Sequence, residues 1–90
     1  MKIFDIVADE HKARVVLSLD GKGGFSGDII SGDFGQGRIS GLVTGNRLTG
    51  SAELDGHGAR FGALIDGHKI AGRLTAGWFF SQDFHGEEAA

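Results

Sequence analysis

Glycine recurs along most of this sequence at steps of four to six residues, from Gly27 to Gly77. A glycine inside an α-helix costs about 1 kcal/mol relative to alanine, so this spacing works against helices of ordinary length. The same spacing suits short strands joined by tight turns, because glycine readily adopts the positive φ that such turns need. We therefore expect an all-β protein.

The glycines fall into two kinds. One kind lies inside apolar runs, as in residues 39–43 (Ile-Ser-Gly-Leu-Val), and the other lies in polar turns, as in residues 44–46 (Thr-Gly-Asn) and 66–68 (Asp-Gly-His). A chain with 17 glycines in 90 residues can also be disordered, but this one is 40% hydrophobic with a net charge of only −3. That balance is too apolar for a disordered chain, and the chain length suits one small domain covering residues 1–90.

Turn signals at intervals of about eleven residues divide the chain into eight predicted strands. Apolar and polar residues alternate within them, as expected for a sheet with one buried face. Ala13, Val15, Leu17 and Leu19, for example, share the apolar face of the second strand. The predicted strands are 2–8, 12–19, 24–31, 36–43, 47–54, 59–66, 69–76 and 78–85, followed by a frayed tail over 86–90.

Eight short strands with short turns predict a small antiparallel up-and-down (meander) β-barrel, because closure removes both sheet edges. A β-solenoid that turns at each glycine is the alternative architecture. In the barrel, glycines inside strands would allow tight coiling and leave room for large rings. We expect Phe25, Phe61, Trp78, Phe80 and Phe84 to point inward and fill the interior. A pocket larger than a few waters would instead favour a carrier of a small ligand.

Several function classes find no support in the residues. Absence of cysteine excludes disulfides, thiolate zinc sites and a cysteine nucleophile, and the slightly acidic balance argues against nucleic-acid binding. No Gly-x-Ser-x-Gly elbow or calcium-loop spacing occurs, so we expect neither an enzyme nor a bound metal or other cofactor, haem being the one candidate. Residues 1–6 lack the apolar run of a signal peptide, and no stretch has the length of a membrane helix, so we expect a soluble chain without membrane insertion.

Two segments carry a resemblance to a known family. Residues 62–74 (GALIDGHKIAGRL) resemble the penultimate hairpin, and residues 80–90 (FSQDFHGEEAA) the closing motif, of the transferrin-binding-protein-B-like β-barrels. The similarity covers about residues 39–90. It implies an eight-stranded barrel acting as a non-catalytic binding module of bacterial surface-protein type, which recognises a protein or a haem-like ligand at the cell surface or after secretion.

The chain departs from that family in three respects. Glu87 stands where the family usually has proline, the family's last strand would follow Ala90, and no lipobox cysteine is present. The resemblance therefore implies either a domain trimmed from a longer protein or a minimal relative. The turns are too short to carry over the family's binding loops, so no contact residue is transferred from it.

Four residues are candidates for ligand or partner contact. His68 and His85 could share one end of the barrel, where histidine could ligate a metal or haem iron, although histidines in turns are commonly just solvated. Phe79 on the outer face and Phe34 in its turn could form an apolar patch. Outward-facing Val16, Ile30 and Leu64 would extend such a patch, so the alternative function is a structural or assembly module that self-associates through exposed apolar strands.

Overall fold

The computed structural model describes residues 1–32, 35–54, 56–77 and 80–89 of the chain. It contains eight strands, whose bounds follow those predicted from the turn glycines closely. The strands are β1 (Lys2–Ala8), β2 (His11–Leu19), β3 (Gly24–Ser31), β4 (Gly35–Thr44), β5 (Arg47–Leu54), β6 (His57–Asp66), β7 (Lys69–Ala76) and β8 (Phe80–Glu88).

Every strand pairs antiparallel with the next one in the sequence, and β8 pairs with β1 to close the barrel. The predicted meander barrel is therefore confirmed, and the solenoid alternative is wrong. We call the end that carries the β1–β2, β3–β4, β5–β6 and β7–β8 turns the upper end. The other three turns, β2–β3, β4–β5 and β6–β7, lie at the lower end.

The last strand is the main difference from the sequence prediction. We expected a frayed tail after residue 85 and, from the family resemblance, a further strand after Ala90. Instead β8 continues to Glu88, and Gly86 and Glu88 pair with Ile6 and Phe4. The tail was misread because its charged and small residues lack an apolar alternation, whereas closure of the barrel supplies a partner for this backbone.

Large apolar side chains fill the barrel interior. Phe4 is fully buried, and the other buried apolar residues come from six further strands: Val15, Leu17, Phe25, Ile39, Leu48, Ala52, Ala63 and Ile70. Two residues placed on the inner face by alternation do not join them. Leu19 and Phe80 are 57% and 49% exposed, because each lies at a strand end, where the barrel wall no longer surrounds it.

Glycines inside the strands allow large rings to meet across the interior. Phe25, Gly41, Gly50 and Phe61 are consecutive partners across β3, β4, β5 and β6. The two rings, with centroids 5.9 Å apart and planes tilted by 60°, meet on the same inner face as this glycine pair. A Cβ on Gly50 would collide with the Ser40 carbonyl oxygen and lie 3.0 Å from the Gly41 Cα. Strand coiling is thus so tight here that only glycine fits.

The turns use positive φ as the sequence predicts. Gly45 and Gly67, each the first central residue of a two-residue turn, have φ of 62°, which is the position where a type II′ hairpin turn places glycine. The β1–β2 turn differs, because Asp9 holds a φ of 55° and is the one non-glycine residue with positive φ among those described. In the β2–β3 turn, the Asp20 carboxylate accepts hydrogen bonds from the backbone N–H groups of Lys22 and Gly24, at 2.6 and 3.0 Å.

Charged and apolar side chains share the outer surface. Arg14 donates to Asp5 at 2.9 Å and Arg73 to Asp83 at 2.7 Å, each directly across a strand pair. These exposed pairs lower the pKa of both carboxyl groups through the hydrogen bond from the arginine. Several apolar side chains also face out: Ile30, Leu42 and Leu64 are exposed, and Val16 is half-buried.

Candidate functional site

The barrel contains an internal cavity of about 110 Å³. It extends from the upper turns, where Ala8 and Leu54 line it, down to Leu48 and Ile70, each one residue from the start of its strand at the lower end. We expected inward-facing rings to leave no such space. The interior in fact retains a space that reaches from the upper turns to Leu48 and Ile70, and Phe25 does not line it.

The walls of the cavity are mostly hydrocarbon. Phe61, Leu74 and Phe84 line one side, and Ile6, Val15, Ile29, Ile39, Leu48, Ala52 and Ile70 line much of the rest. A cavity of this character resembles an engineered cavity of about 150 Å³ lined by aliphatic and aromatic side chains, which stays dry and binds benzene. An apolar molecule of about that size, or one apolar side chain, matches the space.

Four residues with polar side chains also border this cavity, His11, Lys12, Ser31 and Gln82, although the surface exposed to it is apolar. Ser31 is buried, and its hydroxyl donates to the Lys12 carbonyl at 3.1 Å. The Gln82 amide donates to the Asp83 carbonyl at 3.4 Å, a long and weak bond. The polar atoms of these residues add no surface to the cavity, so a molecule inside it would meet hydrocarbon walls.

The structure does not bring the predicted histidines together. His68 lies in the β6–β7 turn at the lower end, where its Nδ1 is 3.2 Å from a Glu88 carboxylate oxygen. His85 is exposed on the outer face of β8, opposite Ala71 on one side and Val7 on the other. The two imidazoles therefore have different neighbours, and neither contributes to the cavity.

Phe34 and Phe79, the other two predicted contact residues, lie outside the described residues. Within the described part of the chain, no three histidine, aspartate or glutamate side chains are grouped so that they could hold a metal ion. The same part of the chain has no helix that is long and apolar enough to cross a membrane.

Sequence reasoning missed the cavity, although the sequence carries a signal for it. Ala8, Ala13, Ser31 and Ala52 have small side chains at inward positions of β1, β2, β3 and β5, and all of them line the space. The sequence prediction considered the volume that the aromatic rings fill, but it did not consider the volume that the small inward residues leave open. The position of this unfilled volume depends on which residues are cross-strand neighbours, and the strand registry supplies that information.

The fold and this site together define a small closed β-barrel with an apolar internal pocket. No protein-family model, no curated protein and no solved structure matches the chain. The resemblance to transferrin-binding-protein-B-like barrels accordingly remains an expectation from the sequence, and the function has to be argued from the barrel itself.

Proposed function

We propose that this protein is a non-catalytic binding module whose barrel takes one small apolar ligand into its internal cavity. The observation that carries the proposal is the cavity of about 110 Å³ with apolar walls and His11, Ser31 and Gln82 in its lining. An apolar molecule that enters this space would remove its own surface and the surface of the cavity walls from water, which favours binding.

The cavity limits the class of ligand. A single aromatic ring or a short branched hydrocarbon fits the apolar walls. A porphyrin is far larger than this space, so a haem-like ligand would have to bind on the outer surface. Titration of haemin into the protein and into His68→Ala and His85→Ala variants tests that case, and an unchanged Soret band would dismiss it.

Binding to the cavity is tested with benzene, phenol and indole as probes, followed by two-dimensional amide NMR of the whole chain. We expect saturable shifts for residues around the cavity, including Ser31 and Gln82, and a rise in melting temperature with probe concentration. Ala52→Leu adds three carbons at a buried position that lines the cavity. This variant should keep or gain stability and lose the probe response.

The matched control is Ala71→Leu, which adds the same carbons to an exposed position on the outer face of β7. It should bind the probes like the parent chain. If none of the three probes produces saturable shifts, or if Ala52→Leu responds as the parent does, the cavity is not a binding site.

A second candidate function is assembly through the outer face. The exposures of Ile30, Leu42 and Leu64, at 43%, 64% and 46%, favour it. Light scattering at increasing protein concentration tests this candidate, since a chain that assembles through these strands should exceed the monomer mass. A Leu42→Lys and Leu64→Lys double variant should then return it to a monomer, and a monomer at all concentrations would count against assembly.

A further inference from the structure

The barrel wall has a gap at the upper end between β1 and β8. The β1–β8 ladder ends at the Val7–His85 pair, whereas β8 extends five residues further, up to Phe80. At the other upper junctions the unpaired stretches are shorter: residues 57–59 of β6 extend beyond the β6–β7 ladder, and β2 and β4 extend beyond the β2–β3 and β4–β5 ladders by two residues each. Among the described residues, residues 80–84 of β8 have a neighbouring strand on the β7 side only.

The hydrogen bonds at the lower end show which backbone groups face this gap. The Ala89 N–H donates to the Ile3 carbonyl, and the Glu88 N–H donates to the His68 carbonyl at the β7 side. Successive residues of a strand point their N–H and C=O groups to opposite sides, so odd-numbered residues of β8 face β1. Ser81 and Asp83 therefore turn two N–H and two C=O groups towards the gap.

The gap leads into the cavity. Ala8 and His11 of the β1–β2 hairpin lie on one side of it, Gln82 and Phe84 of β8 lie on the other, and all four line the cavity. Phe80, half exposed at the top of the same edge, adds apolar surface beside the opening. An open strand edge thus lies directly beside an apolar pocket.

We propose that the natural ligand is an extended peptide segment, which adds antiparallel to the upper edge of β8 and inserts one apolar side chain through the gap into the cavity. This inference rests on the proposed function, because it names what fills the pocket. Strand addition to an exposed sheet edge supplies backbone hydrogen bonds for affinity and uses pockets for alternate side chains to give specificity.

The register defines the segment. Two of its residues would lie opposite Ser81 and Asp83, exchange hydrogen bonds with them and face outward. The residue between them would lie opposite Gln82, which faces inward and lines the cavity. A volume of about 110 Å³ accommodates one side chain at that place. The occupant is therefore a short segment with outward, inward and outward side chains, and not a folded surface.

The test uses capped pentapeptides Lys-Thr-Xaa-Thr-Lys with Phe, Leu or Gly as the central residue. Burial of one large apolar side chain corresponds to about a 10- to 100-fold gain in affinity, from about 1.5–3 kcal/mol. We expect the better of the Phe and Leu peptides to bind at least about 10-fold more tightly than the Gly peptide. The bound peptide should shift the Ser81 and Asp83 amide resonances and slow their hydrogen exchange.

Ser81→Pro, with Ser81→Ala as its matched control, tests the strand edge alone. Proline removes the Ser81 N–H that faces the gap, and it leaves the bonds to β7 intact because those use even-numbered residues. Loss of one net hydrogen bond corresponds to about a 5-fold weaker affinity for the peptide. Both variants should bind indole and benzene as the parent does, since neither changes the cavity.

The outcomes separate this inference from the proposed function. If indole binds but no peptide does, or if Ser81→Pro binds the Phe and Leu peptides as well as Ser81→Ala does, strand addition is wrong and the pocket remains a small-molecule site. If neither indole, benzene nor phenol binds, and no peptide binds, both proposals fail. If the Ser81 and Asp83 amides instead shift with protein concentration and Ser81→Pro removes that shift, the edge pairs with a second copy and the peptide proposal is overturned.

Discussion

Gly50 offers a direct test of how the barrel is packed. An alanine Cβ at this position would collide with the Ser40 carbonyl oxygen and lie 2.9 Å from the carbonyl carbon of the same residue. These are backbone atoms of a paired strand, so they cannot rotate away, and β4 and β5 would have to separate. Overpacking of this kind costs about 1–3 kcal/mol. At about 4–8 °C per kcal/mol for a domain of this size, Gly50→Ala should melt about 10 °C below the parent chain.

Gly62 is the matched control for Gly50. It is also a glycine inside a strand without positive φ, but it faces outward, and a Cβ there would meet only the Leu48 carbonyl oxygen at 3.9 Å. Gly62→Ala should therefore be neutral or stabilise the protein by up to about 1 kcal/mol, because alanine restricts the unfolded chain. Thermal and urea unfolding followed by circular dichroism measure both variants. Equal destabilisation by the two variants, or a parent-like Gly50→Ala, would refute the argument that close strand approach requires glycine.

Two turns give further predictions. Asp9→Gly should stabilise the protein by about 0.5–1 kcal/mol, since glycine adopts the φ of 55° held by Asp9 without the cost that an L-residue bears. Glu10→Gly, without a positive φ to relieve, should destabilise it in the same urea titration. Hydrogen bonds from the Lys22 and Gly24 N–H groups lower the pKa of Asp20. A pKa lower in the folded than in the unfolded state contributes stability above the unfolded value, near pH 4, and this stability is lost as the pH falls through the folded value. Asp20→Asn can accept the same bonds without titrating, so its unfolding midpoint should fall less steeply below pH 4, and parallel curves for the two proteins would contradict this.

The fold could be predicted from the sequence because the turn glycines and the apolar alternation indicate the same eight strands that the closed barrel contains. The turn glycines mark where each strand ends, as at Gly45 and Gly67, and apolar alternation marks the inner face of the strands between them. Gly41 could also be interpreted from the sequence as a glycine inside a strand, since it lies within an apolar run that is typical of a strand. These signals act within a few residues along the chain and do not depend on which distant residues become neighbours.

The features that could not be predicted from the sequence depend on which residues of distant strands become cross-strand neighbours. Gly86–Glu88 carry no strand pattern of their own, and they become part of β8 because β1 offers a partner. Phe80 alternates inward but remains half exposed, because β8 extends above the β1–β2 hairpin at that point. The candidate contacts at His68 and His85 failed to converge for the same reason, since their separation depends on the face and level of each strand.

Most of the buried core residues, Phe4 and Leu48 among them, also line the cavity, so stability and binding overlap in the interior and differ mainly at the β1–β8 junction. Closing a sheet into a barrel requires the strands to be staggered, and here the stagger is exposed at the β1–β8 junction as an unpaired stretch of β8. Small inward residues beside that junction, among them Ala8 and Ala13, leave space in the interior, whereas the buried Phe25 does not line the cavity. A change at the upper junction removes few buried contacts, so it can alter ligand uptake without unfolding the domain. A change among the large buried side chains removes many, so it acts on the stability of the whole barrel.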